Sequence, residues 1–242
     1  MAELYFAMSA LFFSACLQGI VGFGSGMVSM SLLSLIWPVA QATAILNPLG
    51  LVLSGSLLWQ QRQALSLKII KPSIIGLPFG VMIGLLALTN LPETYLKLLL
   101  GCTLLLAVIN NVWRKQKNDI KPSPLYGFVA GVFSGICGVS VSASGPPILV
   151  YATLAGWNKT LFRANLAAFF FSASITACIG LMSKGFLTLE TLKMTFFLIP
   201  VVLLGSKVGF HLGQRLPQVH FTRFTLALLT LLALRFIISG IA

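Results

Sequence analysis

Long apolar runs, separated by short polar connections, cover almost the whole chain. They lie at about 4–21, 26–37, 40–59, 72–89, 94–112, 124–139, 146–155, 160–182, 190–210 and 219–241. Most approach the ~20 apolar residues that a helix needs to cross a bilayer, but 26–37 and 146–155 are too short to cross it. No alternating strand pattern typical of a membrane barrel is found. The pattern predicts an all-α polytopic membrane protein with two short helices.

Two polar, glycine-rich breaks precede the short runs. The first, at 18–26, has glycine at 19, 22, 24 and 26, and the second, at 134–145, combines glycines with serines at 140, 142 and 144. A break exposes backbone N–H and C=O groups that lipid cannot satisfy, so these groups must face protein, water or a ligand. We therefore expect 4–37 and 124–155 to form helix–break–helix hairpins.

Matching residues in the two halves indicate an internal duplication. Gly19 and Gly22 precede Gly135 and Gly138 by 116 residues, and Asn47 precedes Asn165 by 118. The separation then grows to 125, as loop insertions in a duplicated unit would make it. The matches at 125 are Gly80 with Gly205, Gly84 with Gly209 and Pro92 with Pro217. The expected division is an N-terminal repeat at 1–112, a basic cytoplasmic linker at 113–123 and a C-terminal repeat at 124–242.

Loop charge predicts the topology. The connections at 60–71 and 113–121 are strongly basic, and Lys and Arg accumulate in cytoplasmic loops. The basic connections at 156–163 and 211–223 are then also assigned to the cytoplasm. With this assignment the second hairpin enters the membrane from the cytoplasm and the first hairpin enters from outside. Both termini are then external. The two repeats, each a broken hairpin plus three transmembrane helices, then have inverted topology. Transporters with midplane sites use this architecture.

Composition narrows the function. The chain is 57% hydrophobic and 8% charged, with mean hydropathy +0.98, and its net charge of +12 is spread over short loops. Membrane topology explains that spread better than nucleic-acid binding. The four cysteines lie in apolar runs without CxxC spacing, so small buried hydrophobes are expected rather than disulfides or metal ligands. Absent protease, hydrolase and P-loop motifs argue against an enzyme, and no catalytic residue, metal or cofactor is expected.

The breaks are the candidate binding site. A helix that starts after a break has free N–H groups and the positive end of its dipole there, which suits an anion. Two opposed hairpins would bring both such ends to the membrane centre. Ser144 is a candidate helix cap, and Pro146 suits a helix start. The predicted substrate-binding residues are Gln18, Gly22, Gly24, Ser25, Gly26, Asn47, Ser140, Ser142, Ser144, Gly145 and Asn165.

Structural explanations of the same residues stay open. The glycines of the breaks could allow close helix packing, which is the favoured explanation for the i, i+4 pairs Gly80/Gly84 and Gly205/Gly209. The intramembrane asparagines could brace the hairpins instead of binding substrate. Arg163 could snorkel to the interface or attract anions at the cytoplasmic mouth. No carboxylate lies within a span, which argues against a carboxylate proton relay.

At these residues the chain resembles the sulfite exporter TauE/SafE family of membrane permeases. The resemblance rests on 19–26, on Gly135-Ile136-Cys137-Gly138 with the Gly-Pro-Pro-Ile-Leu segment at 145–149, and on the later glycine pairs with Leu91-Pro92 and Leu216-Pro217. It covers essentially the whole chain and implies about eight spans and transport of sulfur oxyanions or organosulfonates. Two departures lie beside the site: Ser31 replaces the family's proline, and serines replace a frequent glycine cluster in the second break.

The leading hypothesis is a secondary transporter for a small anion, such as sulfite or an organosulfonate, bound near the midplane between the two breaks. Oxyanions accept several hydrogen bonds, which suits opposed N–H groups and hydroxyls. The alternative is a channel-like or structural membrane subunit whose glycines serve packing only. We expect a multi-pass cell-membrane protein (inner membrane in a Gram-negative source) whose partners are lipid and a small anion. Homo-oligomerisation stays open.

Overall fold

Helices account for nearly all of the regular structure in the computed structural model, which describes residues 2–21, 23–113, 123–215, 227 and 230–238. The helices are α1 Ala2–Val21, α2 Ser25–Leu33, α3 Val39–Gln61, α4 Leu67–Asn90, α5 Glu93–Trp113, α6 Pro124–Val141, α7 Gly145–Leu154, α8 Lys159–Ser183 and α9 Leu189–Arg215, with a 3₁₀ turn at Arg62–Ala64. Residues 230–238 are also helical. This part of the chain contains no strand, so the predicted all-α class is confirmed.

Six of these helices are long and apolar enough to cross a membrane: Glu3–Ile20, Val39–Ala64, Leu67–Asn90, Pro124–Val141, Thr160–Ser183 and Leu189–Leu212. Large apolar side chains cover their outer faces, as with Trp59, Met82 and Phe196. Such a surface is typical of a chain whose surroundings are lipid rather than water. The protein is a multi-pass membrane protein, and the described residues supply six candidate spans against the eight that the resemblance implied.

The first helices of the two hairpins pack closely on partners from the other half of the chain. Glycines on α4 lie against backbone carbonyls of α6, and glycines on α9 lie against carbonyls of α1. A Cβ added at Gly84 would lie 2.6 Å from Ile136 O, and one added at Gly205 would lie 2.5 Å from Phe12 O. The packing explanation of the glycine pairs is therefore confirmed, since a larger side chain has no room there.

The α4–α6 contacts also give the relative direction of these helices. Gly76, Gly80 and Gly84 lie against the backbone at Phe128, Val132 and Ile136, so both helices advance by four residues together. The two helices therefore run parallel, and the connections that precede them lie at the same end of the molecule. The predicted linker at 113–123 lies outside the described residues except for its two ends.

Several helix boundaries in the two halves differ by the same number of residues. Helices α1 and α6 end at Val21 and Val141, and α3 and α8 begin at Val39 and Lys159. Helix α7 begins 120 residues after α2, so all three boundaries differ by 120. The glycine and asparagine matches gave separations of 116 and 118, two to four residues smaller than this difference of 120.

Candidate functional site

A cavity of about 70 Å³ lies where the two breaks meet. It could hold several water molecules or one small ion, since a single water needs about 10–15 Å³ by the same measure. Gly50, the twelfth of the 23 residues of α3, lines it, and so does Phe170, the twelfth of the 25 residues of α8. The cavity is therefore at the mid-length of two spanning helices.

Eight of the predicted site residues line this cavity, and they come from both breaks and from α3. They are Gln18, Gly24, Ser25, Gly26, Asn47, Ser142, Ser144 and Gly145. The lining contains no charged side chain among the described residues. The polar groups are hydroxyls, amides and the backbone at the first turns of α2 and α7, a set that can donate several hydrogen bonds without a fixed charge.

Backbone geometry explains why the two breaks differ in residue type. The turn before α2 passes through Gly24, whose φ of 100° is in the left-handed region that favours glycine. The turn after α6 uses Ser142 instead, with φ 50°, and its neighbour Ala143 donates its N–H to Cys137 O at 3.1 Å. At the turn itself the first break therefore offers only backbone, and the second offers the Ser142 hydroxyl.

The amide of Asn47 fixes the direction of the Ser142 hydroxyl. Asn47 Nδ2 donates to Thr43 O at 2.9 Å and to Ser142 Oγ at 3.3 Å. Because Ser142 Oγ accepts this bond, its own O–H is left to donate elsewhere, and the residue lines the cavity. The bond joins a span of the first half to the break of the second.

Ser25 and Gln18 form a second polar pair in the cavity lining. Ser25 Oγ donates to Gln18 Oε1, which leaves the side-chain NH₂ of Gln18 as a donor. Ser144 stands at the N-cap position of α7, as predicted, but its side chain makes no capping bond. Its hydroxyl lines the cavity instead, and Pro146 lies in the first turn of α7, as expected for a helix start.

Two predicted site residues in the described part of the chain do not line the cavity. Ser140 is fully buried, and its Oγ donates to Ile136 O, the hydrogen bond of an ordinary helical serine. Asn165 is also fully buried, and its Oδ1 accepts the N–H of Ser66 at 3.0 Å, just before α4. Gly22 lies outside the described residues.

Two serines that sequence reasoning did not select line the cavity at equivalent places. Ser54 on α3 and Ser174 on α8 are separated by 120 residues, as are the other lining pairs Gln18 and Gly138, Gly24 and Ser144, Ser25 and Gly145, and Gly50 and Phe170. The separation of 118 that relates Asn47 to Asn165 would instead relate Ser54 to Ser172. That serine bonds to Ala168 O and does not reach the cavity.

Each hairpin is held by a hydrogen bond from the other half of the chain. Arg163 Nη2 on α8 donates to Ile20 O near the end of α1, at 3.2 Å, and Thr43 Oγ1 on α3 donates to Ser140 O near the end of α6, at 3.3 Å. The donors are 120 residues apart, and so are the acceptors. Arg163 thus binds the end of α1 just before the first break, and it is not part of the cavity lining.

Comparison with known proteins gives one match. The family model described as Sulfite exporter TauE/SafE matches residues 7–236, which include both hairpins and the cavity lining. The resemblance inferred from the glycine-rich breaks is therefore confirmed. No match was found among the curated proteins or among the solved structures.

Proposed function

The chain belongs to the sulfite exporter TauE/SafE family, and from this premise we propose that it is a secondary transporter that binds a small sulfur oxyanion in the central cavity. One observation carries the proposal: two breaks far apart in sequence contribute polar, uncharged donors to one cavity at the mid-length of α3 and α8. A sulfite-like ion would accept bonds from Ser142, Ser144 and the first turns of α2 and α7. A site without a fixed counter-charge releases its ion more readily than an ion pair would.

Two inverted repeats are part of the proposal. The common separation of 120 in helix boundaries, cavity lining and the Thr43 and Arg163 bonds supports duplication. The exchange of partners, α1 on α9 and α6 on α4, supports a two-fold relation between the halves. In such transporters, one half moves against the other around a central site. The proposed boundaries are 1–112 and 124–242, with both termini external.

The alternative is a structural or channel-like subunit in which the glycines only pack helices. Gly24 does not serve helix packing, because a Cβ there would meet only the end of the Met27 side chain at 3.9 Å, and its φ of 100° instead forms the turn that brings α2 to the cavity. The lining hydroxyl of Ser174 has no partner among the described residues, so a ligand can use it. Packing alone explains the α4–α6 and α1–α9 seams but not these two residues.

Transport into proteoliposomes tests the proposal. We expect labelled sulfite to cross faster than taurine or sulfoacetate, because the cavity is small. Asn47→Ala should slow sulfite transport, since it releases the Ser142 hydroxyl that Asn47 orients. Asn90→Ala is the matched control: Asn90 is exposed and bonds to Leu86 O at the far end of α4. Absence of anion transport, or Asn47→Ala transport equal to wild type, would refute the binding site.

Cysteine labelling tests the inverted arrangement separately. Pro38→Cys and Trp157→Cys, in a background without the four native cysteines, should react with an impermeant thiol reagent from opposite faces of sealed vesicles. Each residue precedes the third helix of its half, at α3 and α8. Reaction from the same face would rule out inverted repeats and leave the family assignment untouched.

A further inference from the structure

A groove of about 440 Å³ lies on the outer surface where α4 and α6 begin. Lys68, Lys71, Pro72 and Ile75 line it from α4, and Pro124, Leu125 and Phe128 line it from α6. We propose that this groove binds one anionic phospholipid, with the headgroup at the two lysines and an acyl chain along the apolar seam below. The site is separate from the central cavity and does not depend on the proposed transport function.

The polar end of the groove suits a phosphate. Lys68 and Lys71 are one turn apart and exposed, and none of the described residues that line the groove is acidic. Because α4 and α6 run parallel, their N-terminal ends lie side by side and add the positive ends of two dipoles. Basic pockets between transmembrane helices on the cytoplasmic side are the usual sites for acidic lipid headgroups.

The remainder of the groove suits an acyl chain. Ile75 is 49% exposed and Leu125 66% exposed, and the seam continues past Phe79, whose ring meets Phe128 edge-on at 5.7 Å. The groove exists because glycines bring the two helix backbones close together, so the larger side chains on either side form its walls. A free phosphate would use the lysines and leave these walls uncovered.

The equivalent seam between α1 and α9 lacks this chemistry. With the separation of 125 that relates the glycines of α4 and α9, Lys68 corresponds to Lys193 and Lys71 to Phe196. Acidic residues stand in the first turns of both helices there, Glu3 and Glu190. One half therefore has a basic groove and the other does not, which supports a specific lipid rather than general lipid contact.

Native mass spectrometry of the purified full chain tests this site. We expect wild type to retain phosphatidylglycerol over phosphatidylcholine, and Lys68→Gln with Lys71→Gln to weaken phosphatidylglycerol binding roughly 10- to 30-fold. Lys193→Gln, the matched control in the equivalent seam, should bind phosphatidylglycerol like wild type. Equal retention by the double variant, or no preference over phosphatidylcholine, would overturn the proposal.

A second variant tests the acyl chain. Ile75→Asn should weaken phosphatidylglycerol binding while the thermal stability of lipid-free protein stays close to wild type, because Ile75 is on the outer face. Inorganic phosphate and glycerol phosphate at millimolar concentration should not displace the lipid. If they displace it, or if Ile75→Asn binds normally, the groove is a phosphate site and the lipid assignment is wrong.

Discussion

Each half of the molecule donates a side-chain hydrogen bond to the hairpin of the other half, but one donor is a hydroxyl and the other a guanidinium. Thr43 and Arg163 are each the fifth residue of their helix, and each donates to a carbonyl near the end of the other half's hairpin helix, Ser140 O or Ile20 O. The Arg163 bond carries a positive charge to the negative end of the α1 dipole, whereas the Thr43 bond is neutral. At this position the first hairpin is thus held by a charged hydrogen bond and the second by a neutral one.

The two breaks also differ in the residue that forms the turn. The first turns through Gly24, which has no side chain, and the second turns through Ser142, which adds a hydroxyl directed by Asn47. The first break therefore contributes backbone together with the Gln18–Ser25 pair, and the second contributes the hydroxyls of Ser142 and Ser144, which can distinguish one anion from another. Variants at equivalent positions can separate these two roles.

Substitutions of the glycines between α4 and α6 and between α1 and α9 should have the largest effects on stability. These effects should be similar in the two halves. Gly84→Ala places a Cβ 2.6 Å from Ile136 O, and Gly209→Ala creates the same conflict with Cys16 on α1. Each should cost about 2–3 kcal/mol or more, because two helix backbones must separate. Thermal unfolding in detergent measures this, and Met82→Ala on the outer face is the control. A loss confined to one seam would mean that the halves are not equivalent.

The helices could be predicted from the sequence because hydropathy alone decides which segments enter lipid. The predicted runs agree with α1–α9, but α4 begins five residues before the apolar run at 72–89. Lys68 and Lys71 end the apolar pattern without ending the helix, since long basic side chains reach the interface. Hydropathy thus locates a span better than it locates the end of a helix.

The cavity was predicted in part. Break residues were identifiable because glycine and serine are conspicuous in an apolar run, and eight of the eleven candidates line the cavity. The match of Asn47 with Asn165 rested on residue identity alone. Helix boundaries place Asn47 opposite Ala167, and Asn165 binds the start of α4. Ser174 was missed for the same reason.

Removing the cross-half bonds should affect transport unequally. Arg163→Gln should slow sulfite transport about tenfold and Thr43→Val about threefold, because hydrogen bonds of charged groups contribute roughly 1.5–3 kcal/mol and neutral ones about 1 kcal/mol. Initial rates in proteoliposomes measure the ratio. Arg62→Gln is the control, since Arg62 is exposed and lies over the Trp59 ring at 4.1 Å, outside the cavity lining. Equal effects at the two positions would remove the proposed asymmetry.

Ser142→Gly tests whether the second break determines anion preference. Glycine accepts the φ of 50° more readily than serine, so the fold should be kept while the hydroxyl is lost. The KM for sulfite should rise about tenfold, as expected for one hydrogen bond to an ion. Asparagine also adopts this backbone conformation and keeps a donor, so the KM of Ser142→Asn should lie between those of wild type and Ser142→Gly. An unchanged KM in Ser142→Gly would assign the selectivity to the first break or to α3.

The smallest effects are expected at the two equivalent serines on the cavity wall. Ser54 Oγ already donates to Gly50 O at 2.6 Å, whereas the Ser174 hydroxyl has no partner among the described residues. Ser174→Ala should therefore raise the KM about threefold, and Ser54→Ala less than about twofold. Ser56→Ala and Ser172→Ala are matched controls, because both hydroxyls bond to their own helices and neither lines the cavity. A larger effect at Ser54 would mean that the anion displaces its helical bond, and the ion would then lie closer to α3 than to α8.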